Sequence, residues 1–395
     1  MAPITPTVIR KPLLSIQNDW DEVLREKIGS VWVSCKEYGK NSKHGKLNVI
    51  PCESTCVTVE GSDGFRVQKI TAKSLSLSHE DPNCRCDFYA PSKIFSNIHL
   101  KNVLCLDVTN AGLGASVSGD NTIYIWDNSN GSVLRKLEGH IWDVYSCRFF
   151  PSGIVVLSGG ADMQLKIWAA DTGQCPVTLT GHSAAVTDTA VVDRGRNIVS
   201  VSKDGTARLW DCGKATCLDV LSRSNGSINC SAVAEVDIDV GTPENPPSER
   251  EVATDGKLLV FGCENGNLKG VGLQSRKQIF EHNCGSAINC CCFTSKSTLA
   301  FGTQDGRLYL FDLRARLPVT VWEESTSPVL CLLSIKNGLL CGRGDGSCIF
   351  NALDKDQCVQ LTGPGFDPVY CMAANENAIF TGARDGLIRK YDLNF

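Results

Sequence analysis

The 395-residue sequence has no long apolar run. No stretch approaches the roughly 18 consecutive apolar residues that a membrane-spanning helix needs. The first residues, MAPITPTVIRKPLL, contain prolines and no apolar segment as long as the core of a signal peptide. These absences predict a cytoplasmic protein, with the nucleus as a second location, that does not bind a membrane.

Sequence patterns for metal binding are also missing. Histidine occurs only six times, and the sequence has no pair of Cys-x-x-Cys motifs, by which structural zinc sites usually show themselves. The 21 cysteines are numerous, but Cys52 and Cys56 stand apart from Cys84 and Cys86, and the others lie mostly one at a time in apolar strand patterns. Such cysteines are typical of buried free thiols in a reducing compartment. We expect no metal ion and no cofactor.

A strong excess of one charge is missing too. The formal net charge is -4, and no cluster of lysine and arginine stands out. Nucleic acids and anionic membranes bind clustered basic surfaces, so the sequence predicts neither as a partner. The 42% hydrophobic content and the 36 glycines are typical of a globular protein with a sizeable core and many turns.

A repeated β-hairpin is what the sequence has in abundance. Residues 193–213, DRGRNIVSVSKDGTARLWDCG, place a Lys203-Asp204-Gly205 turn between two alternating apolar runs. This pattern strongly indicates a hairpin, because both central turn residues tolerate positive φ angles. The turn recurs in steps of 42, 42, 61, 40, 40 and 40 residues, at Asp120, Asp162, Asp204, Asn265, Asp305, Asp345 and Asp385.

A period of roughly 40 to 45 residues with a Trp-Asp ending is typical of four-stranded propeller blades. The sequence therefore resembles the WD-repeat family, and it predicts an all-β, seven-bladed propeller over residues 86–395. The chain reaches only the third strand of the last blade at Tyr391 and Asp392. We expect the segment from about Phe88 to Ile98 to supply the missing fourth strand.

The residues before the repeats have a different pattern. Residues 1 to about 15 read as a disordered tail, and Ile16 to Lys27 read as a short amphipathic helix. Alternating apolar runs separated by turn residues follow from Val31 to Ser78. The sequence thus predicts a small N-terminal helix-plus-strand domain over residues 1–85.

A Ser, a His and an Asp within one repeat resemble a hydrolase triad. The WD-repeat resemblance implies instead an internal hydrogen-bond quartet of His182, Ser202, Asp204 and Trp210. The two preceding repeats match in part, through His140, Gly160 in place of serine, Asp162 and Trp168, and through His99, Ser118, Asp120 and Trp126. Because the trio recurs from repeat to repeat, we expect structural supports and no enzyme.

The 61-residue step contains an acidic, proline-rich insertion at residues 234–257. Such a composition predicts a mobile surface loop. Two roles stay open for it, a solvated loop or a loop that contacts a partner.

Partner contacts are expected on one side of the disc, which we call the loop face. It carries the loops that enter each blade and the hairpin turns within each blade. Aromatic anchors among acidic side chains suit a protein partner with a basic patch. The predicted contacts are Trp142, Asp143, Tyr145, Thr187, Lys203, Asn229, Glu264, Asn289, Gln304, Leu330, Phe366, Asp367, Tyr370 and Arg384, with Glu323 and Glu324 in another entering loop.

Several stretches resemble the family of proteasomal ATPase-associated factors, which are assembly chaperones of the proteasome regulatory particle. They are RFFPSGIVVLSGGADMQLKIW, VDRGRNIVSVSKDGTARLWDCG, PSEREV, GLQSR, GTQDG, GDGSC and DPVY, at residues 148–168, 192–213, 247–252, 272–276, 302–306, 344–348 and 367–370. The resemblance implies a non-enzymatic monomer that binds the C-terminal domain of a proteasomal ATPase subunit and leaves the mature particle. An alternative is a substrate receptor of a cullin-RING ubiquitin ligase, because residues 301–314 approximate an adaptor-binding box, with Phe311 where that box prefers Trp or Tyr.

Overall fold

The computed structural model of the chain describes residues 6–26, 29–50, 58–244, 246–336, 338–353 and 358–392. Predictions that concern residues 1–5, Lys27, Cys52, Cys56 and 393–395 lie outside these ranges. The described chain contains one helix, α1 (Trp20–Glu26). The strands before the first blade are β1 (Thr7–Ile9), β2 (Leu13–Ile16), β3 (Ser30–Lys36), β4 (Lys43–Ile50), β5 (Thr58–Gly61), β6 (Phe65–Ile70), β7 (Ser74–His79), β8 (Cys84–Tyr89) and β9 (Lys93–Phe95).

The other strands form seven antiparallel blades around a central channel, which confirms the predicted WD-repeat propeller. The first three blades are β10 (Val103–Val108), β11 (Leu113–Ser118), β12 (Ile123–Asp127) and β13 (Val133–Leu137); β14 (Val144–Phe149), β15 (Val155–Gly160), β16 (Leu165–Ala169) and β17 (Val177–Leu179); and β18 (Val186–Val192), β19 (Asn197–Ser202), β20 (Thr206–Asp211) and β21 (Thr216–Arg223).

The next four blades follow the same order from the channel outward. They are β22 (Ile228–Glu235), β23 (Lys257–Cys263), β24 (Asn267–Gly272) and β25 (Gln278–Asn283); β26 (Ile288–Phe293), β27 (Thr298–Thr303), β28 (Leu308–Asp312) and β29 (Leu317–Trp322); β30 (Val329–Ile335), β31 (Gly338–Arg343), β32 (Cys348–Ala352) and β33 (Cys358–Leu361); and β34 (Val369–Ala374), β35 (Ala378–Ala383) and β36 (Ile388–Asp392).

The third blade shows why the repeated sequence folds as it does. Gly205 closes the β19–β20 hairpin with a φ angle of +76°, and a Cβ atom there would lie 2.6 Å from the Ser224 carbonyl oxygen. Glycine is therefore required at this turn. The alternating apolar residues of the hairpin are buried, and Val199 and Val201 pack with Ile228 of the next blade. Contacts of this kind join each blade to its neighbour.

A strand from before the first repeat closes the ring. β9 pairs antiparallel with β36, with Phe95 opposite Ile388, and supplies the fourth strand of the seventh blade. This confirms the predicted closure for Lys93–Phe95. Phe88 and Tyr89, which the prediction included, belong to β8 instead.

The N-terminal residues form a compact module with its own core. One sheet has the order β2-β3-β4-β5, while β6, β7 and β8 form a second antiparallel group. Both pack around Leu14, Trp20, Val33, Phe65 and Phe88. The sequence had predicted a disordered tail to about residue 15, but β1 and β2 lie within that segment.

The helix is shorter than the sequence predicts. Ile16 is paired with Val33 in the sheet, so its backbone is not available to a helix. The Asp19 carbonyl oxygen accepts the amides of Glu22 and Val23, which makes this the point where the helix starts. The apolar pattern that suggested a helix from Ile16 therefore belongs to a strand followed by a helix.

The module is joined to the propeller by shared sheets. β8 pairs in parallel with β33, with Phe88 opposite Gln360, and extends the sixth blade to seven strands. β1 likewise pairs in parallel with β29 of the fifth blade. The Trp20 indole donates to Thr362 Oγ1 at 3.0 Å across the same junction. The boundary predicted at residue 85 falls within β8, so the module and the sixth blade share one sheet.

The insertion, which the sequence predicts to be a mobile surface loop, contacts the propeller through hydrogen bonds at several points. It connects β22 to β23 and so spans residues 236–256, on the side opposite the loop face. The Asn197 side chain donates to the Arg250 carbonyl oxygen at 3.2 Å and accepts the Val252 amide at 2.7 Å. The Ser275 hydroxyl donates to the Val240 carbonyl oxygen.

Within the described ranges, no helix is long and apolar enough to cross a membrane. The cysteines of these ranges are free thiols. Several of them are only half-buried and line the central channel, including Cys105, Cys290, Cys291 and Cys292.

Candidate partner-binding face

The histidines of the first three repeats form internal supports. In the third blade, His182 Nδ1 lies 2.8 Å from Asp204 Oδ2, and His182 Nε2 lies 2.7 Å from Ser200 Oγ. The Trp210 indole donates to the same Ser200 oxygen at 2.8 Å. These buried polar groups satisfy one another, which is a structural role.

The predicted serine of this quartet is wrong. Ser202 Oγ donates to the Ala184 carbonyl oxygen and accepts the Asp204 amide, both at 3.0 Å, so it supports the turn. Ser200 and Ser202 are two residues apart in one strand and face the same side. The alternation of strand residues between the two faces therefore could not distinguish the two serines. The Trp210 indole reaches Ser200, which identifies Ser200 as the serine of the quartet.

The same correction applies to the two preceding blades. Ser158, not the position of Gly160, contacts both His140 Nε2 at 2.7 Å and the Trp168 indole at 2.8 Å. In the first blade, Ser116 rather than Ser118 lies 2.7 Å from His99 Nε2 and accepts the Trp126 indole at 3.0 Å.

The first blade differs in its acid. Asp120 accepts hydrogen bonds from Thr122, and His99 Nδ1 has no hydrogen-bond partner among the described residues. Burial lowers the pKa of His99 to about 4, although Asp120 opposes that shift. Burial likewise lowers the pKa of His182, against the opposing effect of Asp204. These rings therefore stay neutral at physiological pH.

Asp204 shows the opposite balance. Burial alone would raise its pKa, but hydrogen bonds from Thr206, the Ser183 amide and His182 hold the pKa well below its usual value. The Asp204 carboxylate is thus fully occupied by hydrogen bonds within the protein. The Ser, His and Asp of this blade therefore offer no free nucleophile and no free base. In the described chain, no group of three or more His, Cys, Asp or Glu side chains is arranged to hold a metal ion.

Entering loops and hairpin turns meet on one face in all blades. In each blade, an amide just before the turn residue donates to a carbonyl oxygen just before the inner strand. The donor and acceptor pairs are Gly119 and Asn102, Ala161 and Asp143, Lys203 and Ala185, Glu264 and Ser227, Gln304 and Ala287, Gly344 and Pro328, and Arg384 and Pro368. This repeated bond fixes the loops of the loop face.

The mouth of the central channel is lined by one residue from each inner strand. Each sits at a β-bulge, which leaves it unpaired in its strand and turned towards the channel. The seven residues are Leu104, Tyr145, Thr187, Asn229, Asn289, Leu330 and Tyr370. The channel has a volume of about 690 Å³.

Three of the predicted contact residues are used to tie neighbouring blades. Thr187 Oγ1 donates to the Ile228 carbonyl oxygen at 2.6 Å. Asn229 Nδ2 donates to the Ile288 carbonyl oxygen at 3.0 Å, and Asn289 Nδ2 donates to that of Val329 at 3.1 Å. In blades three to five, these side chains are therefore held within the protein and are less available to a partner.

Several charges of the loop face are paired within the protein. Arg384 Nε donates to Asp367 Oδ1 at 2.9 Å, and Glu323 forms ion pairs with Arg10 at 2.8 Å and Arg307 at 3.0 Å. Glu324 is buried 3.7 Å from Arg343, and burial raises the pKa of Glu324 despite that arginine. These acids are less available to a partner than the sequence suggests.

Asp143 and Lys203 remain exposed. Asp143 has no ion pair among the described residues, and the Lys203 ammonium lies 5.6 Å from the centre of the Tyr145 ring. Glu264 and Gln304 are exposed as well, although Gln304 Oε1 accepts a hydrogen bond from Asn289 at 2.9 Å.

A group of large apolar side chains projects from the loop face. Phe366, on the loop that enters the seventh blade, is 79% exposed, and Trp142, on the loop that enters the second blade, is 64% exposed. Both are among the contacts that the sequence predicts. Leu100, on the loop into the first blade, is 96% exposed, and Ile141 is 73% exposed. Blades seven, one and two are neighbours in the ring. We call Leu100, Ile141, Trp142 and Phe366 the apolar arc.

Leu100 and Ile141 were missed in the sequence, although a signal exists. Each directly follows a quartet histidine, His99 or His140, whose side chain is fixed inside the blade. Ser183 occupies the same position after His182 and is also exposed. The residue after each quartet histidine therefore points to solvent, and an apolar residue there marks a contact candidate.

Comparisons with known proteins agree with this architecture. Residues 131–169, 173–211 and 274–312 match the WD40 family, described as WD domain, G-beta repeat. A relative from Homo sapiens named "Proteasomal ATPase-associated factor 1" is 48% identical over 289 residues, which is 71% of this chain and 73% of that protein. The protein of the same name from Gallus gallus is 46% identical over 72% of this chain and 74% of its own length.

A more distant relative carries a different name. The Saccharomyces cerevisiae protein "26S proteasome regulatory subunit RPN14" is 32% identical over 162 residues, which is 39% of this chain and 38% of that protein. With nearly half of the aligned residues identical to the vertebrate proteins over most of both lengths, the chain belongs to the proteasomal ATPase-associated factor family of WD-repeat propellers.

Proposed function

We propose that this protein is a non-enzymatic chaperone that binds the C-terminal domain of a proteasomal ATPase subunit. It would act as a monomer in the cytoplasm and nucleus while the base of the regulatory particle assembles, and it would leave the mature proteasome. The names of the vertebrate relatives support association with proteasomal ATPases, and the name of the yeast relative supports the regulatory particle as the setting.

The apolar arc is the observation that carries the proposed site. Monomeric proteins seldom expose several large apolar side chains together unless that patch contacts something. Trp142 and Phe366 lie on loops held by backbone hydrogen bonds, from Ala161 to the Asp143 carbonyl and from Arg384 to that of Pro368. Their anchoring lowers the entropy lost on binding, and aromatic side chains of this kind dominate interface energetics.

The surroundings of the arc favour a partner that combines apolar and basic side chains. Asp143 is exposed and has no ion pair among the described residues, and Tyr145, two residues later, and Tyr370 line the channel mouth. An exposed acid beside aromatic anchors attracts lysine or arginine and steers the encounter. On blades three to five, where side chains tie neighbouring blades together, the face would form a polar part of the interface that contributes little affinity.

The proposed interface also suits reversible binding. The arc and its polar surroundings occupy part of one face of a rigid disc, and the insertion lies on the opposite side. The N-terminal module borders this face, where Arg10 pairs with Glu323. An interface of standard size covers about 800 Å² on each partner. Binding of this kind can be tight enough to hold an assembly intermediate and still dissociate when the ATPase surface is needed for another contact.

A calorimetric titration with the purified C-terminal domain of each proteasomal ATPase subunit tests this function. We expect one domain to bind, and Trp142→Ala with Phe366→Ala to weaken that binding by at least about thirtyfold, as truncation of two aromatic anchors does. Asp143→Lys should mainly slow association and reduce its dependence on salt.

Ile154→Ala is the matched control. Ile154 lies in the same blade as Trp142 and is 60% exposed, but it follows β14 on the opposite side of the disc. We expect this variant to bind as the wild type does. The absence of binding to every ATPase domain would contradict the proposal, and capture of a cullin-RING adaptor instead would favour the ligase receptor.

A further inference from the structure

The outer face of β3 and β4 in the N-terminal module carries an exposed tryptophan among basic side chains. Trp32 is 40% exposed and stands directly opposite Lys46 in the antiparallel pair. His44 and Lys36 are exposed on the same face, with His44 opposite Ser34. Large aromatic side chains are usually well covered in folded proteins, so an exposed tryptophan on a flat sheet requires an explanation.

The strand pattern explains why these residues face outward. Val31, Val33 and Cys35 alternate with them in β3 and are buried, as are Gly45 and Leu47 in β4. Successive strand residues point to opposite faces, so the buried set fixes Trp32, Lys36, His44 and Lys46 on the other side. Burial of the alternate residues in the core of the module therefore keeps these four side chains on the solvent-exposed face.

Two of the lysines of this hairpin have no counter-charge. Lys40 pairs with Glu37 at 2.7 Å, and Lys43 pairs with Asp81 at 2.8 Å. Lys36 and Lys46, in contrast, form no ion pair with any described residue. Residues 30–50 contain four lysines and one glutamate, a local excess that the net charge of -4 for the whole sequence conceals. The expectation that the chain has no basic cluster therefore does not hold here.

We propose that this face, which we call the lysine-tryptophan face, binds an acidic peptide segment of a protein partner. Trp32 supplies apolar contact area with little conformational entropy to lose. Lys46, directly opposite it on β4, and Lys36, further along β3, pair with carboxylates. Trp32 and Lys36 are four residues apart in one strand, which is about 13 Å. An extended segment that places an apolar residue and a neighbouring acid at Trp32 and Lys46, and a second acid at that distance along the strand, matches the face.

The composition of the face favours a peptide over RNA. Proteins that bind single strands stack successive bases on several aromatic side chains. Tyr38, at the end of the same hairpin, is 55% exposed, but the guanidinium carbon of Arg10 lies 4.6 Å from the centre of its ring and occupies one side of that ring. Among the described residues of this hairpin, Trp32 is therefore the exposed aromatic ring without a cation against it.

Fluorescence anisotropy on the full chain tests the assignment with defined probes. The first probe is a fluorescein-labelled extended peptide of about nine residues, alternating glutamate and serine around a central leucine, which matches the length of the face. The second replaces every glutamate with glutamine, and the third is a labelled oligouridylate. We expect the glutamate peptide to bind at least about tenfold more tightly than the glutamine peptide, and less tightly as salt is added.

Variants assign the binding to the face. Lys36→Glu with Lys46→Glu should abolish binding of the glutamate peptide, and Trp32→Ala should weaken it by about fivefold or more. Lys214→Glu with Lys296→Glu makes the same change of net charge on exposed propeller positions and should have no effect. Far-ultraviolet circular dichroism confirms that each variant is folded.

Results of two kinds would overturn the proposal. Equal affinity for the glutamate and glutamine peptides would show that the face does not recognise acidic side chains. Unchanged affinity of the Lys36→Glu and Lys46→Glu double variant for the glutamate peptide would show that the peptide does not bind at this face. Preferential binding of the oligouridylate assigns the face to RNA instead. Because the face lies on the N-terminal module, either failure leaves the proposed ATPase contact on the loop face untouched.

Discussion

The Glu251 carboxylate lies 2.5 Å from the Arg276 guanidinium, and this ion pair fastens the insertion to the fourth blade. Arg276 also contacts Asp219 at 2.8 Å and the Leu273 carbonyl oxygen. Glu251 belongs to the PSEREV stretch and Arg276 to the GLQSR stretch, while Asn197 of the VDRGRNIVS stretch holds the backbone on either side of Glu251. Three sequence stretches that looked independent therefore meet in one contact.

Breaking this ion pair should release the insertion without unfolding the propeller. Arg276→Ala leaves the Glu251 carboxylate, whose side chain is only 6% exposed, without its partner. We expect limited proteolysis between Thr242 and Arg250 to become about tenfold faster, which corresponds to ~1.4 kcal/mol of easier local opening. Mass spectrometry of the fragments locates the cleavage.

Glu249→Gln is the control for that experiment. Glu249 is exposed, lies two residues from Glu251 and forms no ion pair among the described residues, so the cleavage rate should match that of the wild type. Equal rates in Arg276→Ala and the wild type would show that the insertion is held by other contacts. A large drop of the melting temperature in Arg276→Ala would contradict a purely local role.

The two serines of β19 should differ in their effect on stability. Ser200→Ala removes the shared partner of the His182 ring and the Trp210 indole, which leaves two buried polar groups unsatisfied. We expect a loss of about 2 to 4 kcal/mol in the free energy of unfolding, because each unsatisfied group costs ~1–3 kcal/mol. Ser202→Ala removes only turn contacts and should cost about 1 kcal/mol. Urea denaturation measures both, and a larger loss for Ser202→Ala would contradict the assignment.

His99 should make the stability of the first blade depend on pH. Its folded pKa is lowered to about 4 from 6.5, so the unfolded chain binds more protons than the folded chain between these values. The stability contributed by the neutral ring is complete above about pH 6.5 and decreases as the pH falls towards 4, by up to ~3 kcal/mol.

His99→Gln isolates this contribution, since glutamine does not titrate. The difference in unfolding free energy between the wild type and His99→Gln should change when the pH is lowered from 7 to 5, with the wild type losing more. Parallel pH profiles for the wild type and His99→Gln would contradict the buried neutral state of His99.

Local signals explain why the propeller could be predicted from the sequence. An Asp-Gly turn, alternating apolar residues and a buried tryptophan all act within one hairpin, as in residues 193–213, and their period gives the number of blades. Even the closing strand was found near Lys93–Phe95, because the seventh blade ends at its third strand and an open edge must be covered.

Long-range pairings explain what the sequence did not reveal. Phe88 pairs with Gln360, and no local pattern in either strand specifies a parallel partner so far along the chain. The Asn197 side chain likewise binds residues of the insertion through atoms that alternation does not describe. On the loop face, residue type alone could not separate Asn229 and Asn289, which tie blades together, from Trp142 and Phe366, which remain exposed.

Crosslinking mass spectrometry of this protein in complex with a proteasomal ATPase C-terminal domain tests the central claim most directly. Lys101 and Lys203 are exposed on the loop face, whereas Lys214 and Lys296 are exposed on the opposite side. An amine-reactive crosslinker should join Lys101 and Lys203 to the ATPase domain and leave Lys214 and Lys296 without intermolecular links. Links that concentrate on Lys214 and Lys296 would contradict the loop-face account.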